Sequence, residues 1–348
     1  MQFSLSKELL SELREWIADG KDTAIAQAIF DAHPADIAEL INELKRDEAV
    51  YVYRLLDEEK AADVMLELDD DVREKLLSSL TSREIAEELI ENIDSDDAAD
   101  VIAELPEQKQ EEVIALLEDE EQASDIIDLM TYAEGTAGAI MGTELIRVNQ
   151  NWTVTQAIRE MRKQAEDLDN IYTIYVVDDS EVLLGTLSVK YMLFNLSSLR
   201  TTIKDLYKQS KVRTVNVSAP LEEVAKIMEK YDLVVLPVVN DQEMLLGRIT
   251  IDDVVDIIKE EADKDYQMAS GISEDVEHSD SVRTLTRARL PWLLIGMAGG
   301  MISANIIGVF DISENPGMAV FMPLIAAMGG NVGVQSAALV VKALANQS

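Results

Sequence analysis

This chain of 348 residues has no cysteine and only two histidines. Without cysteine there is no disulfide and no thiolate metal site, a composition that fits the cytosol. His33 and His278 both stand in polar surroundings, so no histidine-based catalytic site is available, and no glycine-rich phosphate loop is present. Basic residues are scarce: 30 Lys plus Arg face 67 Asp plus Glu, a formal net charge of −37. The deficit is uneven. From Ser281 onward Arg283, Arg287, Arg289 and Lys342 outnumber Asp311 and Glu314, so residues 1–280 carry −39. Such a surface repels nucleic acid and anionic lipid and concentrates cations. Met1–Leu10 lacks the basic-then-apolar order of a signal peptide. An apolar content of 47% nevertheless supplies a core and excludes wholesale disorder.

Helix breakers are nearly missing from residues 1–130, where only Pro34, Pro106 and Gly20 occur. Apolar residues recur there at three and four, which predicts helix throughout. A short pattern repeats: Ala35-Asp36-Ile37 with Ile41, Ala62-Asp63-Val64 with Leu68, and Ala99-Asp100-Val101 with Leu105. Short helices of this kind cannot bury their faces alone and are expected to stack as a superhelix. Each aspartate reads equally as a helix cap or a solvated residue.

After a connector with three glycines, Tyr132–Gly142, one unit occurs twice. Val148, Val154, Ala157, Ile158 and Met161 return as Val215, Leu221, Val224, Ala225 and Met228, an offset of 67. Val176-Val177, Leu184-Gly185 and Ser188 return as Val238-Val239, Leu246-Gly247 and Thr250, an offset of 62, which places an insertion near Gln164–Asn170. Each copy predicts strand, helix, two β-rich runs and a closing helix, with Ile174–Val177 and Leu233–Val239 as buried strands. From Asp253 to about Ser270 the chain continues as an amphipathic helix, with Val254, Val255, Ile257 and Ile258 opposite Asp256, Glu260, Glu261, Asp263 and Asp265.

Two uncharged stretches follow, each long enough to cross a bilayer core of about 30 Å. The first is Leu290–Phe310, preceded by the three arginines and opened by Pro291 and Trp292. That arginine cluster assigns its N-terminal side to the cytoplasm, and Trp292 suits an interface. Asp311 to Asn315 would be an outside loop, and Pro316 to Val341 brings the chain back. Within the second stretch, Gly329, Gly330 and Gly333 remove side chains from one place, while Asn331 and Gln335 sit at helical i, i+4 spacing. Close helix packing and a cation-lining pore are both compatible with this pattern.

The string Gly329-Gly330-Asn331-Val332-Gly333-Val334-Gln335-Ser336, after a proline-bearing apolar run, resembles the second transmembrane helix of the MgtE family of magnesium channels. The preceding acidic helices and paired units, which resemble tandem CBS domains, extend the likeness to the whole chain. The resemblance implies a multidomain fold class: an all-α superhelical N domain (1–131), an α/β tandem CBS pair (132–200 and 201–258), a long connecting or plug helix (259–280) and α-helical transmembrane segments. The last, residues 281–348, would hold two helices at about 290–310 and 316–342.

The same resemblance implies a magnesium channel or transporter, not an enzyme, in the inner membrane. It would be multi-pass and homodimeric, with its N-terminal domains in the cytoplasm, no nucleic acid partner, and cytosolic magnesium closing it. Family positions that hold regulatory magnesium fall on Asp63, Asp96, Asp100, Asp232, Asp253, Asp256, Glu261 and Asp265. Lys259 and Lys264 stand where the family is more often acidic. Pore positions fall on Gly329, Gly330 and Asn331. CBS pairs often bind ATP through a Ser or Thr and an aspartate three residues later. Thr250 and Asp253 keep that spacing, whereas Ser188 is followed by Tyr191. Family members have five transmembrane helices and a pore aspartate on the last, so the resemblance implies a C-terminally truncated member. The alternative is a membrane-tethered magnesium or nucleotide sensor without conduction of its own.

Overall fold

The computed structural model describes residues 6–165, 168, 171–194, 201–207, 212–269, 272, 282–308, 317 and 321–345. It forms two units, Met1–Val255 and Asp256–Ser348. The expected outside loop Asp311–Asn315, His278, and most of the expected connecting segment beyond Ala269 lie outside the described residues.

The first unit opens with short helices: α1 (Lys7–Asp19), α2 (Asp22–Ile29), α3 (Pro34–Asn42), α4 (Arg46–Tyr53), α5 (Glu58–Leu66), α6 (Asp70–Leu77) and α7 (Ser82–Glu84). A π-turn over Ile85–Leu89 and a 3-10 turn over Ile90–Asn92 lead to α8 (Ser95–Ala103), α9 (Glu107–Ile114) and α10 (Glu120–Leu129). Local chemistry sets several of the helix boundaries. Ser6 Oγ accepts the Leu9 N–H, Gly20 closes α1 at φ 64°, Pro34 starts α3, and Asp57 caps α5. Thr81 and Glu84 form a reciprocal capping box at α7. The threefold sequence pattern lands on α3, α5 and α8. There Ile37, Val64 and Val101 are buried, while Asp63 and Asp100 are exposed.

Two α/β repeats follow. The first contains β1 (Ile146–Asn149), α11 (Val154–Gln164), β2 (Ile174–Val177), β3 (Leu183–Leu187) and α12 (Val189–Phe194). The second contains β4 (Val215–Asn216), α13 (Leu221–Tyr231), β5 (Val235–Val239), β6 (Leu245–Thr250) and α14 (Ile251–Ala269). Each sheet has three strands in sequential order, the first pair parallel and the second antiparallel. Both carry a register shift at equivalent places, Val176/Val177 and Val238/Val239.

The duplication extends to the turns. Asp178 Oδ1 accepts the N–H of Ser180 and Val182, and Asn240 Oδ1 accepts those of Gln242 and Met244. Glu181 and Glu243 share φ 60°. These turns join the repeats: Leu183 N–H donates to Glu243 O at 2.9 Å and Leu245 N–H to Glu181 O at 3.0 Å.

One apolar core runs from the helices into the second repeat, from Leu13 and Ile37 through Ile102, Leu129 and Met141 to Val238, Ile249 and Val254. The first repeat has its own core around Val148, Ala157, Ile174 and Val176. The connector ties helices to the second repeat. Ala137 N–H donates to Ala219 O, Gly138 N–H to Val217 O, and Gly142 exchanges both backbone bonds with Arg248.

The second unit contains the rest of α14, then α15 (Val282–Gly308) and α16 (Met322–Ala345). α15 starts eight residues before the expected Leu290, so Pro291 lies inside a helix rather than at its entrance. The arginine-bearing segment before it is itself helical, and Thr286 Oγ1 donates to Val282 O. Among the described residues one stretch, Met322–Val340, is long and apolar enough to cross a membrane, with a mean hydropathy of 1.3.

Candidate metal centre

The start of α8 gathers acids at one point. Asp94 stands at the N-cap position without a side-chain cap bond, and Asp96 and Asp97 occupy the first turn. Negative charge there is favoured by the helix dipole and by unsatisfied N–H groups. The connector supplies a further carboxylate. Ser95, fully buried, donates its backbone N–H to Glu144 Oε1 at 3.0 Å and its hydroxyl to Oε2 at 3.1 Å. Thr143 completes the knot, its N–H donating to Ser95 Oγ at 3.2 Å.

One carboxylate oxygen from each of Asp94, Asp96 and Glu144 lies within 4.8 Å of the others. Gly142 makes the room: a Cβ there would meet Glu144 Oε2 at 3.3 Å and both Asp96 oxygens at 3.4 Å. From the second repeat, Asp253 lies in the first turn of α14 and accepts both the N–H and the hydroxyl of Thr250, at 2.9 and 2.7 Å.

These acids raise one another's pKa. Burial, followed by Asp97, Asp253, Glu144 and Asp94, pushes Asp96 well above the carboxylate range. Asp97 rises to about 7 through burial, with Asp253 and Asp94 next. Asp100 rises to about 6 through desolvation and then Glu104 and Asp253, against the pull of Arg73. Its residue surface remains exposed, so solvent moderates that shift. Asp253 rises through burial, opposed by its Thr250 bonds. The donor set is all oxygen, crowded and short of positive charge, which fits a hard divalent cation such as magnesium.

Of the residues expected from sequence, Asp96, Asp100 and Asp253 are brought together here. Asp63 is exposed on α5 and is not one of the three clustered ligands. Asp232 is the exposed left-handed cap of α13, at φ 51°. Asp256, in the second unit, accepts from Lys259 Nζ at 2.8 Å. Glu261 and Asp265 fall in α14, but their side chains lie outside the described residues. Gly329, Gly330 and Asn331 lie mid-way along unbroken α16 and are exposed. Asp94, Asp97, Glu144 and Ser95 were not anticipated. The available signal was the run Asp94-Ser95-Asp96-Asp97 itself, four residues with three acids.

A family profile described as the MgtE intracellular N domain matches residues 32–135, and the CBS domain profile matches 137–198 and 203–260. A magnesium transporter MgtE of Thermus thermophilus is 31% identical over 348 residues, covering 99% of this chain and 77% of that protein. The chain belongs to the MgtE magnesium transporter family. The Enterococcus faecalis MgtE is 37% identical over 221 residues, and there the match spans 63% of this chain and 48% of the relative. The fold matches a solved cytosolic domain of the Mg2+ channel MgtE in complex with ATP. That likeness has a TM-score of 0.63 and 32% identity, and covers 71% of this chain and 99% of that one. MgtE relatives are transporters and not enzymes, so the CBS pair here belongs to a transporter architecture.

Proposed function

We propose that this chain senses cytosolic magnesium and carries part of a magnesium-transport pathway of the inner membrane. The observation that supports this best is the meeting of Asp94, Asp96 and Glu144 beside Asp253, because it joins acids of the helical region, connector and second repeat. At 4–6 Å and an effective dielectric near 20, each like-charge pair costs about 3 kcal/mol before screening. Asp94, Asp96 and Glu144 would hold the divalent ion, with Asp97, Asp100 and Asp253 adding negative charge. When bound, the ion supplies positive charge beyond what the nearby arginines bring to these acids. The helical region and second repeat then stay together, and mass action makes the compact state the magnesium-rich one. Scarce magnesium opens the pathway and plentiful magnesium closes it.

In this reading the chain divides at about 131, 200, 258 and 280, α14 transmits the closure, and Asp63, Asp232, Asp256, Glu261 and Asp265 hold further ions. Both α15 and α16 cross the membrane, and two copies place Gly329, Gly330 and Asn331 around a shared pore. A second reading is a tethered magnesium or ATP sensor without flux, and the Thr250–Asp253 pair in the nucleotide spacing favours it. The test is magnesium flux into liposomes carrying the full chain with an internal magnesium dye. Flux that falls when magnesium is added on the cytosolic side supports the first reading. No flux from an inserted dimer that still binds magnesium supports the second. Flux indifferent to cytosolic magnesium defeats the sensing claim.

A further inference from the structure

We infer that Arg248 is a resident cation of the acidic cluster, holding the start of α8 against the second repeat when no divalent ion is bound. The inference rests on the magnesium-sensing reading but makes its own claim about the ion-free protein. Among the described residues only Ser95 and Arg248 are buried polar or charged side chains, Arg248 at 8% exposure. Both serve this cluster.

The backbone fixes where Arg248 points. Its N–H donates to Gly142 O and its carbonyl accepts the Gly142 N–H, both at 2.9 Å. That close approach needs Gly247 beside it, since a Cβ there would stand 2.8 Å from Gly142 O. From this seat Nη2 lies 3.7 Å from Asp94 Oδ2, and the guanidinium lies 5.3 Å from the Tyr172 ring centroid. One side chain therefore links the helical region, through Asp94, to the first repeat, through Tyr172. A cavity of about 10 Å³, room for no more than a water, remains beside Tyr172, Tyr175 and Arg248.

A guanidinium stays charged at every physiological pH and is covalently held, whereas a divalent ion exchanges with solvent. One fixed positive charge cannot neutralise Asp94, Asp96, Asp97, Glu144 and Asp253 together. It lowers their repulsion enough to leave a partly closed protein at low magnesium, from which ion binding completes the closure.

The test is limited proteolysis of the full chain in detergent with a non-specific protease, in EDTA and in saturating magnesium chloride. Wild type is compared with Arg248→Met, which keeps the stem but not the charge, and Arg248→Lys, which keeps the charge. In EDTA, Arg248→Met is expected to be cut between α8 and β6 about tenfold faster than wild type. Saturating magnesium brings it back to within about twofold, because the bound ion takes over the missing charge. Arg248→Lys stays near wild type in both. Equal EDTA rates for wild type and Arg248→Met overturn the inference. So does an equal acceleration with and without magnesium, which marks a packing defect, or a lysine variant as labile as the methionine one. Wild type that gains no protection from magnesium defeats the sensing reading instead, and the EDTA comparison then still decides the role of Arg248.

Discussion

The backbone N–H of Ser95 is satisfied by Glu144, 49 residues further on, at 3.0 Å, and the Ser95 hydroxyl meets the other oxygen of the same carboxylate. A connector residue thus caps the first turn of α8 and, in doing so, brings its charge to the acids that the helix start already holds.

This cap can be tested by Ser95→Ala. The change leaves a Glu144 oxygen short of a donor in a buried place and frees the Thr143 N–H bonded to Ser95 Oγ. The expected loss is about 1–3 kcal/mol in urea unfolding of the full chain in detergent. A loss below about 0.5 kcal/mol, typical of a surface change, would mean that the knot is not structural.

Ion-free stability is expected to fall as pH rises. Asp97 and Asp100 hold protons up to about 7 and 6, well above ordinary carboxylates, so the folded chain binds more protons than the unfolded one in that window. Their stabilising contribution is complete below about pH 4 and is lost as pH rises through 6 and 7. The slope is at most about 1.4 kcal/mol per pH unit for each proton. Glu84, held low by the Thr81 backbone N–H, acts in the opposite direction only below the ordinary glutamate value. Thermal melts in EDTA from pH 5 to 8 measure this, and Asp97→Asn should flatten the curve. A wild-type profile that rises over that range would contradict the assignment.

Asp96→Asn separates ion binding from folding. Removing one of several mutually repelling acids should raise the ion-free melting temperature by about 2–4 °C. The rise in melting temperature on adding magnesium should shrink at the same time, because one of the three clustered ligands has gone. Calorimetric titration of wild type and variant gives an independent reading. An unchanged magnesium response would remove Asp96 from the ligand set.

Gly247→Ala probes the seam between connector and β6. The new Cβ would stand 2.8 Å from Gly142 O and 2.9 Å from the Met141 side chain, and the first of these is backbone that cannot move aside cheaply. The expected cost is about 1–3 kcal/mol. Hydrogen exchange should rise at the Gly142 and Arg248 amides, which this seam protects. Gly296→Ala, with open space around its Cβ position, is the matched control.

Local sequence signals determined much of this protein. Scarce glycine and proline with three-and-four spacing defined a helical region, and the offsets of 67 and 62 located two repeats whose strands pair in matching registers. Those signals are legible because helix periodicity, turn chemistry and strand patterning act between near neighbours. The motif around Asn331, the acidic helices and the paired units carried the family resemblance for the same reason.

What tertiary structure alone decided is which acids face one another. Asp63, Asp96 and Asp100 all follow small residues within short helices, yet Asp96 stands against Glu144 and Asp94 while Asp63 remains exposed on α5. Glu144 and Arg248 carry no local signature of their roles. Those roles come from the Gly142–Arg248 backbone pair, which joins residues more than a hundred positions apart. The shared core places the helical region on the second repeat rather than the first, and burial there makes closely spaced charges costly enough to matter. Patterning along the chain sets elements, whereas the energy of a charge depends on neighbours that only packing supplies.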